Sequence, residues 1–349
     1  MKILVTGATS LLGRTVVELL GSRGDEVTVL QRNPSGLDVD ERLGDISDRD
    51  AVAGAMDCVD AVVHVAGLVA ALGEWAQFEA TNVAGTRNVI VAALKTGVSR
   101  FVHISSPSVA HAGQPLVGAP AGPADPVSAR GHYARSKAMA ELIALAADSP
   151  AMSVVAVRPH LIWGPGDTQL VGRIVDRAQS GRLAIVGSGA ALIDSTYIDN
   201  AADAIVAALD RAPQLGGRAL VVTNGQPRPV RELVNRIVMA AGLEPPTLSV
   251  PLSVAKAGGS VAERVWERRS DGSEPPMTRF LAEQLGTAHW FDQRETRRAL
   301  EWEPKVSLAE GFERLGVFLA GATGGANELP GVDSPGTTRT HRMDPSGRP

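Results

Sequence analysis

The sequence predicts an α/β fold: a doubly wound parallel sheet of the Rossmann kind, with a second, smaller α+β lobe for a substrate. Three observations predict it. Short β-branched runs alternate with helix-period segments as far as residue 157, the signature of parallel βαβ units. A small-residue turn, TGATSLLG at residues 6–13, directly follows the first run. Beyond residue 160 the strand–helix pairs lose their regularity.

Residues 2–6 (KILVT) read as a short buried strand, and apolar Val16, Val17, Leu19 and Leu20 as a helix over 14–23. Strands follow at 26–30, near 41–44, at 60–65, at 100–104 and at 153–157. Helices are expected at about 48–56, at 76–96 with Gly97 as the stop, and at 132–148. The second half predicts helices at 166–180, 200–210, 230–241, 277–285 and 308–320, and strands at 183–187, 192–198 and 218–222. Residues 251–268 are weakly amphipathic, and the Gly-Gly pair inside them argues against a long helix. The expected organisation is a dinucleotide-binding domain over 1–160, and a substrate lobe over 161–320 interleaved with it near 194–224. A disordered tail is expected over 321–349, where ten of 29 residues are Gly or Pro and none is aromatic.

Composition narrows the function. At 349 residues the chain is ample for a sizeable core. Its net charge of −4 lacks the basic footprint of a nucleic-acid binder. Apolar residues 58–73 are broken by Asp60 and His64, so no membrane span is expected. The one cysteine, Cys58, excludes a disulfide framework or CxxC motif and reads as a small packing residue. Together these fit a cytoplasmic protein. The histidines show no HExxH spacing, so no metal is expected.

Four motifs carry chemistry. In TGATSLLG, Gly7 and Gly13 take the outer positions of a phosphate-binding turn and Ser10 the middle one, with Leu11 and Leu12 opening the helix. Such a turn brings backbone close to a pyrophosphate and aims helix N-terminal amides at it; the Ser10 hydroxyl could also donate to phosphate. The second strand ends Leu30-Gln31-Arg32-Asn33 with no carboxylate until Asp38, so Arg32 suits the 2′-phosphate of NADP. Asp45 and Ile46, ending the third strand, could meet an adenine, although Asp45 could equally cap a helix. Tyr133 and Lys137 stand at i, i+4 on one helix face. An ammonium there should lower the phenol's pKa and make it a usable acid and base. With two Tyr and five Lys in the chain, that spacing arises by chance with a probability of about 0.03. Last, Ser105 and Ser106 end the fifth strand, where ligands of open parallel sheets bind, and Pro107 fixes the direction of Ser106.

With these motifs the chain resembles the extended short-chain dehydrogenase/reductases of the epimerase/dehydratase superfamily, through about residue 320. The matching strings are TGATSLLG, GDI, HVAG (64–67), TNVAGT (81–86), ISS (104–106), YARSK (133–137), RPHLIWGPGD (158–167) and STYIDN (195–200). The resemblance implies that Ser106, Tyr133 and Lys137 are catalytic. It implies cofactor contacts at Gly7, Ser10, Leu11, Leu12, Gly13, Arg32, Asp45, Ile46, Ala66, Gly67, Asn82, Lys137 and Pro159. The strings at 158–167 and 193–200 look most like the 3β-hydroxysteroid and sterol dehydrogenase branch, which includes reductases of long-chain 2-alkyl-3-keto acids.

The expected function is therefore an NAD(P)-dependent oxidoreductase, NADP favoured, acting on a hydrophobic alcohol or ketone. Leu161, Ile162, Trp163, Leu170, Val171 and Val254 are offered as an apolar wall. Two rivals stay open. A nucleotide-sugar epimerase or dehydratase would use Arg228 and Arg231 on a diphosphate. A non-catalytic NAD(P) sensor would have no need of the Tyr133–Lys137 pair. A homodimer is an open partner, and His64 and His160 are structural or site-lining alternatives.

Overall fold

Strand β1 (Lys2–Thr6) sends Ile3 and Val5 to one side and Leu4 to the other, and all three are buried. The same division holds in β4 (Ala61–His64) and β5 (Arg100–Ile104): Val63 and Val102 join the first apolar cluster, Val62 and Phe101 the second. A strand apolar on both faces must be covered on both, which demands a parallel sheet between helix layers. The structure, a computed structural model, describes residues 1–70, 72–110, 113–266 and 277–324.

The sheet has seven parallel strands in the order Arg218–Val222, Ser153–Pro159, β5, β4, β1, β2 (Glu26–Gln31) and β3 (Asp40–Leu43). The order reverses between β1 and β4, so the carboxyl ends of these two strands open a crevice suited to a ligand. Helix α1 (Leu11–Ser22) covers one face together with the long helix Ile198–Leu215. The segment expected as one helix over 76–96 is three pieces: Trp75–Phe78, a π-helical stretch Glu79–Gly85, and Thr86–Thr96. Gly97 ends it at φ 79, the left-handed cap that favours glycine.

The second sheet is built from very short strands: Arg228–Pro229, Leu192–Ile193, His289–Phe291 and Leu116–Ala119. Leu116–Ala119 therefore leaves the first 160 residues to join the lobe, while Arg218–Val222 returns to the main sheet. The Gly258-Gly259 pair does not break its helix, which runs unbroken over Leu252–Trp266. Gly259 permits this because its bare Cα lies against the backbone of Thr278 and Arg279. The last helix, Leu308–Gly324, takes in residues 321–324 of the expected tail; the rest of that tail lies outside the described residues. Cys58 is exposed at φ 56, so it is a turn residue and packs in no core. Among the described residues no helix is long and apolar enough to cross a membrane, and no group of His, Cys, Asp and Glu could hold a metal ion.

Candidate active site

The TGATSLLG turn lies at the carboxyl end of β1. Gly7 sits at φ 79, where an added Cβ would come within 2.8 Å of the Ala66 backbone. At Gly13 a Cβ would collide with the Gly7 carbonyl oxygen. Neither position has room for a side chain, so the backbone closes tightly under an open crevice. Ser10 is the N-cap of α1: its hydroxyl accepts from the Gly13 N–H at 3.0 Å and donates to the Gly7 carbonyl at 2.8 Å. Its one proton is committed to that turn, which corrects the expectation that it donates to phosphate. Leu12 and Ile46 are buried in the two apolar clusters, and Pro159 is buried in its strand. These three can offer a ligand backbone only.

At the end of β2, Arg32 is largely exposed, with its Nε 4.0 Å from Asp45. Asp45 in turn accepts from the Ser47 N–H and hydroxyl, both at 2.8 Å. Glu41 reaches the same end of β2 from β3, a carboxylate the linear reading missed. It accepts from Gln31 and from the Ser35 N–H and hydroxyl, so its nearer oxygen is fully engaged. Arg14 is a second cation here, bonded to the Ser35 carbonyl. The close backbone turn and the exposed Arg32 guanidinium at the end of β2 fit a dinucleotide.

Across the crevice, β5 ends in Ser105 and Ser106, and the helix Gly131–Leu145 presents Tyr133 and Lys137. Enclosure of the Tyr133 phenol pushes its pKa up from the ordinary value, and a hydrogen bond with Ser106 pulls it partly back. Ser106 also shares a bond with Ser108 at 2.9 Å. The expected depression of Tyr133 by Lys137 does not occur: the Lys137 amine donates at 2.5 Å to the Ile104 carbonyl instead. Burial lowers Lys137 to about 8, while Glu141, one helical turn on, pulls it upward. His64 and His103 lie buried near the ammonium, and burial keeps both neutral, with the Lys137 charge adding to the effect. His64 is held between the Thr6 and Thr86 hydroxyls at 2.7 and 3.0 Å.

Asn82 explains the π-helical stretch. Its side chain clamps Leu68 through both N–H and C=O, at 2.7 and 3.1 Å, and donates to Ser136 at 2.9 Å. Ser136 bonds back to the Tyr133 carbonyl. Expected as a cofactor contact, Asn82 here ties the loop after β4 to the helix of Tyr133. A π-turn aims a side chain off the regular helical face. Gly67 sits in the same loop, where a Cβ would stand 3.7 Å from the Lys137 amine. The structure thus brings Gly7, Ala66, Gly67, Ser106, Tyr133 and Lys137 to one crevice, with Asn82 buried behind it.

Sequence reading missed the strongest polar contact beside it. Arg158 is fully buried and grips the Glu141 carboxylate with two nitrogens, Nε at 2.8 Å and Nη2 at 2.5 Å. Its third nitrogen donates to the carbonyls of Ala121 and Gly122. An arginine inside an otherwise apolar strand, with a glutamate at i+4 from Lys137, was the available signal. Of the proposed apolar wall, Trp163 and Val171 are core: Trp163 stacks on Phe312 at 4.4 Å and donates to Ser195. Val254 is exposed on its helix. Arg228 stands 4.0 Å from Glu232, and Arg231 donates to the Ser188 carbonyl.

The model of the NAD dependent epimerase/dehydratase family matches residues 3–222. The chain belongs to that family. Relatives similar to it include a 2-alkyl-3-oxoalkanoate reductase of Stenotrophomonas maltophilia, 41% identical, covering 90% of this chain and 98% of that one. Another is the human decarboxylating sterol-4-alpha-carboxylate 3-dehydrogenase, 28% identical, covering 89% and 86%. Among solved structures, a dTDP-glucose 4,6-dehydratase of Streptomyces venezuelae with NAD bound superposes with a TM-score of 0.72. It is 23% identical and covers 93% of this chain and 98% of that one. That likeness speaks to fold alone. Within the epimerase/dehydratase family the named relatives make this chain an oxidoreductase of keto or hydroxyl groups.

Proposed function

We propose that the protein uses NADPH to reduce the ketone of a long-chain or ring-borne 3-keto acid. The reading is supported by Ser106 at the end of β5 facing Tyr133 and Lys137 on one helix: a phenol there can give its proton to a carbonyl oxygen. Ser106, bonded to that phenol, orients the same oxygen and stabilises the charge that develops on it. Lys137, one helical turn along and fixed on the Ile104 carbonyl, would contact the cofactor rather than tune the phenol. A nicotinamide cofactor, when bound, supplies the hydride. Gly7, Gly13, Ala66 and Gly67 would hold it by close backbone approach, and Arg32 with Arg14 would favour a 2′-phosphate. The substrate class is supported by two relatives whose names place a carboxylate on the carbon next to the keto or hydroxyl carbon.

The test follows NADPH absorbance with a 3-oxo long-chain acid, a 3-keto steroid and UDP-glucose. The acid is expected to turn over and the sugar nucleotide not. Tyr133→Phe should lower kcat by roughly 10²–10⁴ while NADPH still binds; turnover within a few-fold of wild type would remove Tyr133 from the mechanism. Tight UDP binding that is lost on Arg228→Ala would instead carry an epimerase reading.

A further inference from the structure

Among the described residues, one buried carboxylate of the lobe meets three cations. Glu283, on the helix Arg279–Gly286, is almost fully enclosed. Arg130 Nη1 donates to it at 2.5 Å, Arg279 Nε at 3.3 Å, and the Lys256 amine stands at 3.4 Å. Glu263 accepts from the Arg279 backbone N–H at 2.8 Å. Three cations thus face one carboxylate, and each is at least a third exposed. The Lys256 and Arg279 side chains come from two lobe helices packed on each other.

Arg130 comes from elsewhere. It is the residue just before the helix of Tyr133, three positions from the phenol. Its guanidinium also fills the space over Gly113, in the segment that continues from Ser106 and Ser108. It therefore stands where the Ser106 segment, the Tyr133 helix and the lobe meet. Only one of its nitrogens bonds Glu283; an arginine fork can hold a second carboxylate with the others.

We propose that Arg130, backed by Lys256 and Arg279, is the substrate-carboxylate site, and that it selects 3-keto acids over neutral ketones. The proposal rests on the reductase reading above and deepens it. In a 3-keto acid the carboxylate sits two carbons from the carbonyl that Tyr133 protonates. Glu283 keeps the three cations in place without cancelling them, and a carboxylate entering beside it takes up the excess charge.

The experiment uses the full chain with NADPH and a matched pair of substrates, 3-oxotetradecanoate and its methyl ester. The wild type should prefer the acid in kcat/KM by at least tenfold. Arg130→Gln should reduce that acid-to-ester ratio tenfold or more, and Arg130→Lys should restore part of it. NADPH titration by fluorescence checks that each variant is folded. Lys256→Gln, at the rim of the cluster, should reduce the ratio about threefold and serves if Arg130→Gln does not fold. A ratio unchanged in folded variants, with acid and ester losing rate alike, would make the cluster a structural staple and overturn the proposal while leaving the reductase reading intact. A wild type that reduces neither compound would overturn both.

Discussion

The seven-stranded half and the smaller lobe are held together by different physics. In the seven-stranded sheet, strands of four to seven residues bond along their backbones, and apolar side chains fill both faces. In the lobe the strands are two to four residues long, and side chains join it to the strand Arg218–Val222 of the main sheet and to the helix Ile198–Leu215 that covers that sheet. Asn200 and Asn224 bond each other and, between them, the Tyr197 N–H, the Lys305 N–H and both polar groups of Val306. The Gln293 carbonyl receives the Thr223 N–H, and the Thr296 hydroxyl takes the Val221 carbonyl. A ladder of backbone bonds tolerates many sequences, whereas a lobe stitched by individual amides depends on each of them.

The Arg158–Glu141 pair is the place where this contrast can be broken most sharply, because it puts lobe-like polar stitching inside the apolar half. Glu141→Gln leaves a buried guanidinium without its charge partner and should cost roughly 3 to 5 kcal/mol, read as a fall in the denaturation midpoint. It should also lower the Lys137 pKa further below about 8, because Glu141 is the group that raises it.

Next in size, Asn224→Ala leaves the buried Tyr197 N–H unpaired and should cost roughly 2 to 3 kcal/mol. Exchange of that amide with deuterium should accelerate while amides of β1 and β4 remain protected. Equal acceleration in both halves would mean that they unfold as one unit and that the contrast has no energetic meaning.

Asp194, buried at the lobe junction, is pushed up to about 6 by burial, against bonds from Phe291, Thr223 and Gln226 that pull it down. The unfolded carboxyl ionises near 3.8. Between those values the folded protein holds the extra proton, so wild-type stability falls as pH rises from about 4 to about 6. Asp194→Asn removes that dependence. Its unfolding free energy, followed through the melting temperature, should gain on wild type between pH 4 and 7 by on the order of 1 to 3 kcal/mol.

The smallest effect is expected at Arg32, which is exposed and screened. Arg32→Ala should weaken NADPH by about three- to tenfold and NADH hardly at all, in keeping with the modest worth of exposed ion pairs. Equal loss of both would move the phosphate contact to Arg14.

The sequence alone determined the parts of this protein that local physics decides. The alternation of β-branched runs and helical segments specified the parallel sheet, because a strand buried on both faces must be apolar along its length. Gly7 and Gly13 announced a turn with no room for a side chain, and the Tyr133–Lys137 spacing placed both on one helix. The tertiary structure alone decided what those groups touch. Ser10 spends its proton on Gly7, Lys137 turns to Ile104, and Asn82 serves the Leu68 loop rather than open crevice. It also decided the two-residue strands of the lobe, too short to have a period, and the meetings of Arg158 with Glu141 and of Arg130 with Glu283. Those partners lie 17 and 153 residues apart. Local propensity acts only along a stretch of chain, whereas a charge is paired by whatever the fold brings beside it.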